Sequence, residues 1–207
     1  ETVWTGLPVR SEIEKVGEKK GGPFSLLVFG GSGGAQSINR LMLEAAPILL
    51  QSDRSIRILH QTGRNHFGSV EKAYQTLGLL GDRLKAVPFI QEMENAYQEA
   101  DLVISRAGAS TVAELVAAGR PALFIPYPHA ARNHQEENAR AVERIGGAKV
   151  FLESELVVEG GRRLAQEVLT LLLDRTQLSA MRKAISNGAG RRAAKKIADQ
   201  LLALGGR

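Results

Sequence analysis

From Ser25 onward, strand-length apolar runs alternate with helix-length stretches, and that alternation limits the folds open to the chain. The runs are "SLLVFG", "SIRILHQ", "LKAVPFI", "DLVIS", "PALFIP" and "AKVFL". Helices are predicted between them at about 34–50, 66–79, 93–99, 111–118 and 134–145, with two or three more at the carboxyl end. Short runs apolar at nearly every position suit strands buried on both faces, and strands joined through helices pair in parallel. The expected fold class is α/β, a Rossmann-like parallel sheet with helices on both faces. No internal repeat or low-complexity tract interrupts it.

With 207 residues, 43% of them hydrophobic, the chain is long enough to bury a core without covalent staples. It has no cysteine, which excludes a disulfide framework and thiolate metal sites and fits a reducing, cytoplasmic setting. The longest apolar runs are of strand length, so neither a membrane-spanning helix nor a signal peptide is expected. The formal charge of +5 is uneven. From Arg182 on, Arg182, Lys183, Arg191, Arg192, Lys195, Lys196 and Arg207 face the single acid Asp199. Without an aromatic ladder or a recognition-helix pattern, that excess does not point to nucleic acid.

In a parallel sheet the ligand crevice lies at the carboxyl ends of the strands, near the switch in strand order. The segments following the strands are "GGSGGAQS" (30–37), "HQTGRNH" (60–66), "PFIQEM" (88–93), "RAGASTVAE" (106–114) and "YPHAARNHQEEN" (127–138). Nearly every polar, non-repetitive cluster therefore falls on one edge. "FGGSGGAQS" suits a phosphate held by backbone N–H groups with Ser32 adding a hydroxyl, or a plain glycine turn that lets helix and strand pack. It lacks the third glycine of a dinucleotide fingerprint and the Gly-Lys-Ser/Thr of a P-loop.

"SRAGASTVAEL" reads two ways. Either Ser110 or Thr111 caps a helix with Glu114 completing a capping box, or the small turn lets an anion approach the helix end. In the second reading the Glu114 carboxylate accepts the hydroxyls of a ribose. No Asp-x-Asp pair is present to hold a divalent metal, so helix N-termini and Arg10 would have to offset a diphosphate's charge. His60, His129 and His134 stand at or after strand ends. For His60 a structural, hydrogen-bonded role is the expectation, and no histidine spacing resembles a metal site.

Taken together, "TGLPVR", "LLVFGGSGGAQSIN", "HQTG", "VPFIQEM", "ADLVISRAGASTVAEL" and "GRPALFIPYPHAARNHQEENA" resemble, in order and spacing, the carboxyl-terminal half of the MurG family. Its members are bacterial undecaprenyl-diphospho-muramoylpentapeptide β-N-acetylglucosaminyltransferases. The resemblance runs from Thr5 to the last helix. It implies the C-terminal half of a GT-B glycosyltransferase, with residues 1–23 as interdomain linker and 24–207 as the donor-nucleotide-binding domain.

The same resemblance implies site residues. Arg10 and the backbone of Ile90 would face the uracil, and Ser32 the diphosphate. Ala109, Ser110, Thr111, Val112 and Ala113 would lie at the helix start against phosphate and sugar, with Glu114 on the ribose and Gln135 on the GlcNAc hydroxyls. No cofactor and no metal are implied, and no catalytic residue is assigned, because the general base is expected in an amino-terminal acceptor domain that this chain does not contain. The chain would then be an excised domain, a processed fragment or one subunit of a split enzyme, inactive alone.

The implied partners are UDP-GlcNAc, that acceptor domain and, through it, a lipid-linked acceptor at the inner face of the plasma membrane, with no nucleic acid. The implied reaction is GlcNAc transfer to a lipid-linked muramoyl-pentapeptide in peptidoglycan synthesis. A split transferase acting on another polyprenyl-diphosphate sugar, or a non-catalytic UDP-sugar module, are the alternatives. Leu7 stands where the family usually has Asn, and Gly33 where it usually has Gln, which puts the geometry of the glycine loop in question.

Overall fold

The computed structural model describes residues 6–188 and 193–205. A six-stranded sheet of order β3-β2-β1-β4-β5-β6 forms its centre, with every neighbouring pair parallel. The strands are β1 Ser25–Phe29, β2 Arg57–Gln61, β3 Leu84–Val87, β4 Leu102–Ser105, β5 Ala122–Phe124 and β6 Ala148–Val150. The strand order reverses between β1 and β4, so the loops after these two strands flank the crevice.

Successive side chains of the central strands leave for opposite cores. Leu26 and Val28 of β1 join Leu102 and Ile104 of β4 in one core, whereas Leu27, Phe29 and Val103 enter the other. Because both faces are covered, "SLLVF" and "LVIS" are apolar without alternation. The first core is closed by α2 Gln36–Ser52, α3 Phe67–Thr76, α7 Gly160–Leu173 and α8 Arg175–Ser186. The second is closed by α1 Ser11–Glu14, α4 Met93–Glu99, α5 Ala109–Ala118 and α6 His134–Arg144. A last helix, α9, spans Ala193–Gly205.

Several details differ from the sequence expectation, among them α3, which ends at Thr76 rather than near 79. The segment before β1, for which no helix is predicted, contains α1, whose Ile13 is fully buried. Its sequence "SEIE" is too short to show a period, and tertiary packing supplies what local signal lacks. Lys19 Nζ pairs with Asp101 Oδ2 at 2.6 Å and Arg120 donates to the Gly17 carbonyl, so residues 11–23 lie fastened to the domain. Helix α5 starts at Ala109 with Gly108 as N-cap, so neither Ser110 nor Thr111 caps it and no capping box with Glu114 forms. Helix α2 begins at Gln36, because Gly34 carries a positive φ of 77°. Helix α6 ends at Arg144, one residue short of expectation. Of the basic cluster at the carboxyl end, Arg182 is drawn into a pair with Asp101 at 3.3 Å, and Arg191, Arg192 and Arg207 lie outside the described residues.

His60 is structural, as expected. The buried ring donates from Nε2 to Asn39 Oδ1 (3.1 Å) and accepts at Nδ1 from the Tyr74 hydroxyl (2.9 Å). Asn39 in turn donates to the Thr62 carbonyl at 3.0 Å, which turns its Oδ1 toward the histidine. Burial lowers the imidazole pKa from 6.5 to about 3. Between those values the unfolded chain binds the extra proton, so this group's contribution is complete above pH 6.5 and declines as the pH falls. Urea unfolding at pH 7 and pH 5 should show a loss of about 2 kcal/mol from this residue. The loss should shrink in His60→Gln, and an equal loss in the variant would refute the assignment.

Candidate functional site

At the carboxyl edge, the switch between β1 and β4 opens into a cavity of about 360 Å³. Its walls include Arg10, Ser32, Ile90, Ser110, Thr111 and Glu114, six of the residues named from the sequence, drawn from four separate segments. Gln135 stands in a neighbouring cavity of about 450 Å³ beside Gly30, Gly34, Arg106 and Tyr127, on the flank of the same glycine loop. Its Oε1 accepts the Tyr127 N–H at 3.1 Å. Ala109 is exposed in the first turn of α5. Val112 turns toward the second core, and Ala113 is half-buried, so neither lines the cavity as a recognition group.

The glycine loop is built by close approach. Gly34 lies so near the next loop that a Cβ there would stand 2.2 Å from the Thr62 carbonyl oxygen, and a Cβ at Gly63 would stand 2.3 Å from the Gly33 oxygen. Gly33 itself faces open space with no positive φ, so the position tolerates a side chain, and the departure from the family's usual Gln leaves the loop path intact. Neither α2 nor α5 has a side-chain N-cap, so the first N–H groups of two helices remain available at the crevice.

Two residues that the sequence reading did not single out hold this site. The Tyr97 hydroxyl, buried beneath it, donates to Glu114 Oε2 at 2.9 Å. Burial, reinforced by the neighbouring carboxylate, raises the Tyr97 pKa well above its ordinary 10, so the phenol remains a donor. It fixes one carboxylate oxygen of a residue that lines the cavity. Gln61, at the end of β2, donates from Nε2 to the Gly31 carbonyl at 2.9 Å and accepts the Ile90 N–H on Oε1 at 2.8 Å. The Ile90 N–H is thereby engaged, leaving its carbonyl as the backbone group this residue can offer a base. Arg10 reaches the cavity mouth with its guanidinium 3.8 Å from Glu94.

A larger groove of about 810 Å³ runs along the sheet face between β3 and α4, over Leu27, Leu59, Val87 and Ala96. It shares Phe89, Ile90 and Gln91 with the site, but its charged residues, such as Arg57, Lys85 and Glu99, sit apart from the helix starts. Among the described residues, no three His, Asp or Glu are grouped to hold a metal, and no helix is long and apolar enough to cross a membrane.

Comparison with known proteins bears on this geometry. The chain is 42% identical over 208 residues to the UDP-N-acetylglucosamine--N-acetylmuramyl-(pentapeptide) pyrophosphoryl-undecaprenol N-acetylglucosamine transferase of Geobacter sulfurreducens, covering 98% of this chain and 56% of that protein. Identity to the Cupriavidus metallidurans protein of the same name is 38% over 210 residues, 99% of this chain and 56% of that protein. The chain thus spans about half the length of these relatives. Acinetobacter baumannii MurG superposes with a TM-score of 0.75 at 31% identity, over 91% of this chain and 54% of that one. S. aureus MnaA, solved with UDP, superposes at 0.63 with 14% identity, over 94% of this chain and 48% of that one, a likeness of fold alone. The model of the glycosyltransferase family 28 C-terminal domain matches residues 25–201, from the first strand into the last helix. With its six-stranded parallel sheet and its crevice at the β1/β4 switch, the chain belongs to glycosyltransferase family 28 and carries that family's C-terminal domain, the part corresponding to the C-terminal half of MurG.

Proposed function

We propose that this chain is the donor-binding domain of an inverting glycosyltransferase that takes GlcNAc from UDP-GlcNAc and delivers it to a lipid-linked muramoyl-pentapeptide. The observation that carries the reading is Glu114, oriented by Tyr97 and facing a cavity whose other walls are the Ser32 glycine loop and the Ile90 segment. A uridine seated there would place its ribose hydroxyls on the Glu114 carboxylate and its base against Ile90 and Arg10. Its diphosphate would fall between Ser32 and the open start of α5, where Ser110 and Thr111 add hydroxyls. Gln135, beyond the loop, stands where the sugar would extend.

In the transfer, the acceptor hydroxyl oxygen attacks the anomeric carbon from the face opposite the diphosphate. The carbon–oxygen bond to UDP breaks, and its electron pair leaves on the phosphate. This domain binds and orients the donor and stabilises the charge growing on the diphosphate through the N–H groups of two helix ends, each end worth about 0.3–2 kcal/mol. The proton of the acceptor hydroxyl would go to a base on an amino-terminal acceptor domain. That domain would also provide peripheral contact with the cytoplasmic face of the membrane. The isolated chain should therefore bind the donor and not transfer it.

Calorimetric titration with UDP-GlcNAc, UDP-glucose and UDP in the absence of divalent metal tests the reading. UDP-GlcNAc should bind most tightly. Glu114→Ala should weaken it about 10- to 100-fold, as for loss of hydrogen bonds to a charged group, and Tyr97→Phe by about fivefold. Equal affinity for all three ligands, a requirement for added metal, or an unaffected Glu114→Ala variant would count against it.

A further inference from the structure

We propose that Gln61 is a positioning residue that sets the distance between the diphosphate subsite and the base subsite, so that a nucleoside diphosphate meets both halves in register. The inference rests on the donor-site reading above. Gln61 ends β2, paired with Phe29 of β1 on one side and Val87 of β3 on the other, and is only 4% exposed. From there one side-chain amide reaches two loops 59 residues apart in sequence, the Gly31 carbonyl at 2.9 Å and the Ile90 N–H at 2.8 Å. The first adjoins Ser32, and the second belongs to the segment that would face the base.

The chemistry of the pair is selective. One partner is a carbonyl and the other an N–H, so the bridging group must donate at one end and accept at the other, which a primary amide does. A carboxylate keeps the Ile90 contact and sets an oxygen against the Gly31 oxygen, whereas leucine keeps neither. The next two residues extend the bracket. Thr62 donates to the Val87 carbonyl from its N–H at 3.0 Å and from its hydroxyl at 3.3 Å. Gly63 accepts the close approach of the glycine loop. With these ties in place, loss of the Gln61 amide should release the spacing of the two subsites without unfolding the strands.

A residue that only stabilised the fold would affect all ligands alike, whereas a spacing device matters most to the ligand that spans both subsites. The test compares UDP, uridine and inorganic pyrophosphate on the wild type, Gln61→Leu and Gln61→Glu, with amide exchange at Ile90 and Ser32 in the ligand-free proteins. In Gln61→Leu, UDP affinity should fall at least tenfold while uridine and pyrophosphate each change less than twofold, and the Ile90 amide should exchange faster. Gln61→Glu should keep the Ile90 amide slow and still lose UDP. Wild-type affinity for UDP in a folded Gln61→Leu variant, or a parallel fall for all three ligands that follows its melting temperature, would overturn the proposal. A wild type that binds no UDP would overturn the donor reading instead. An Ile90 amide that exchanges equally in wild type and Gln61→Leu would overturn the clamp whatever the ligand.

Discussion

Replacing Gly34 with alanine should both unfold the protein more readily and abolish detectable UDP-GlcNAc binding. Gly34 adopts a φ of +77°, a conformation that costs an L-residue about 1–2 kcal/mol. The new methyl would also meet backbone on the facing loop, with the Thr62 oxygen at 2.2 Å and Gly63 Cα at 2.8 Å, and backbone cannot rotate away as a side chain can. Adding about 1–3 kcal/mol of overpacking gives a loss of roughly 3 kcal/mol, or about 6–12 °C in melting temperature for a domain of this size. The clash pushes the glycine loop off the β2 end, where Gln61 holds Gly31, so the diphosphate subsite moves with it. Gly33→Ala, one residue earlier, faces open space and should change the melting temperature by no more than a degree or two. Similar melting curves for the two variants would show that the loop does not depend on this contact.

The second large effect is expected at Arg106. Its guanidinium donates to the Ile125 and Pro126 carbonyls at 2.8 and 3.0 Å and to Ser37 Oγ at 2.8 Å, and it pairs with Glu153 at 2.6 Å. Ser37 also donates to the same Glu153 oxygen at 2.5 Å. One buried side chain thus joins the end of β4, the end of β5, the start of α2 and the short helix after β6. Arg106→Leu removes every donor and leaves a carboxylate and two carbonyls with less than they need. Breaking such a pair from one side costs about 3–5 kcal/mol when both partners are buried. Glu153 is a quarter exposed, so the lower end of that range is expected. Arg106→Lys keeps the charge but replaces a planar fork by a single ammonium, and should recover only part of the loss. By contrast, Lys149 is a third exposed and contacts Glu167 alone, so its ammonium can turn to water when the partner is removed, and Glu167→Ala should cost about 1 kcal/mol. Denaturant unfolding of these variants measures the order, and equal losses at Arg106 and Glu167 would contradict it.

What the sequence disclosed followed from where its signals are written. The strands are legible because burial on both faces makes "SLLVF" and "LVIS" uniformly apolar, and the crevice is legible because topology sends every segment after a strand to one edge. Ser32 stands out as a polar side chain among glycines, and Glu114 as the one charged side chain in the apolar helix that follows β4. Gln61 and Tyr97 carry no such mark. A glutamine at a strand end and a tyrosine in a short helix are ordinary residues, and their roles arise from contacts with Gly31, Ile90 and Glu114 that exist only once the sheet is assembled. The start of α5 is hidden for a related reason. Ser110 and Thr111 look like caps in isolation, but the chain turns at Gly108 and begins its helix before reaching them. The four residues of α1 have no period to read, and their helix depends on Ile13 finding the second core.

The strand order has a consequence for how the chain comes to be folded. Every neighbouring pair is parallel, so no hairpin can form locally, and the central pair joins Leu26 to Leu102 across most of the first half of the chain. Such non-local pairing folds slowly compared with helical bundles of similar size. At ribosomal rates of about 5–20 residues per second, β1 waits roughly 4–15 seconds after its own synthesis before β4 exists to pair with it. During that interval its "LLVF" run lacks β4 and α5, with α1, β2, β3 and the helices between those strands as the elements already made to cover it. The crevice is created by the pairing of β1 with β4, so it is absent from every shorter nascent chain. A ligand that depends on it cannot assist the first half of the domain to fold, and can hold the domain only after β4 has docked.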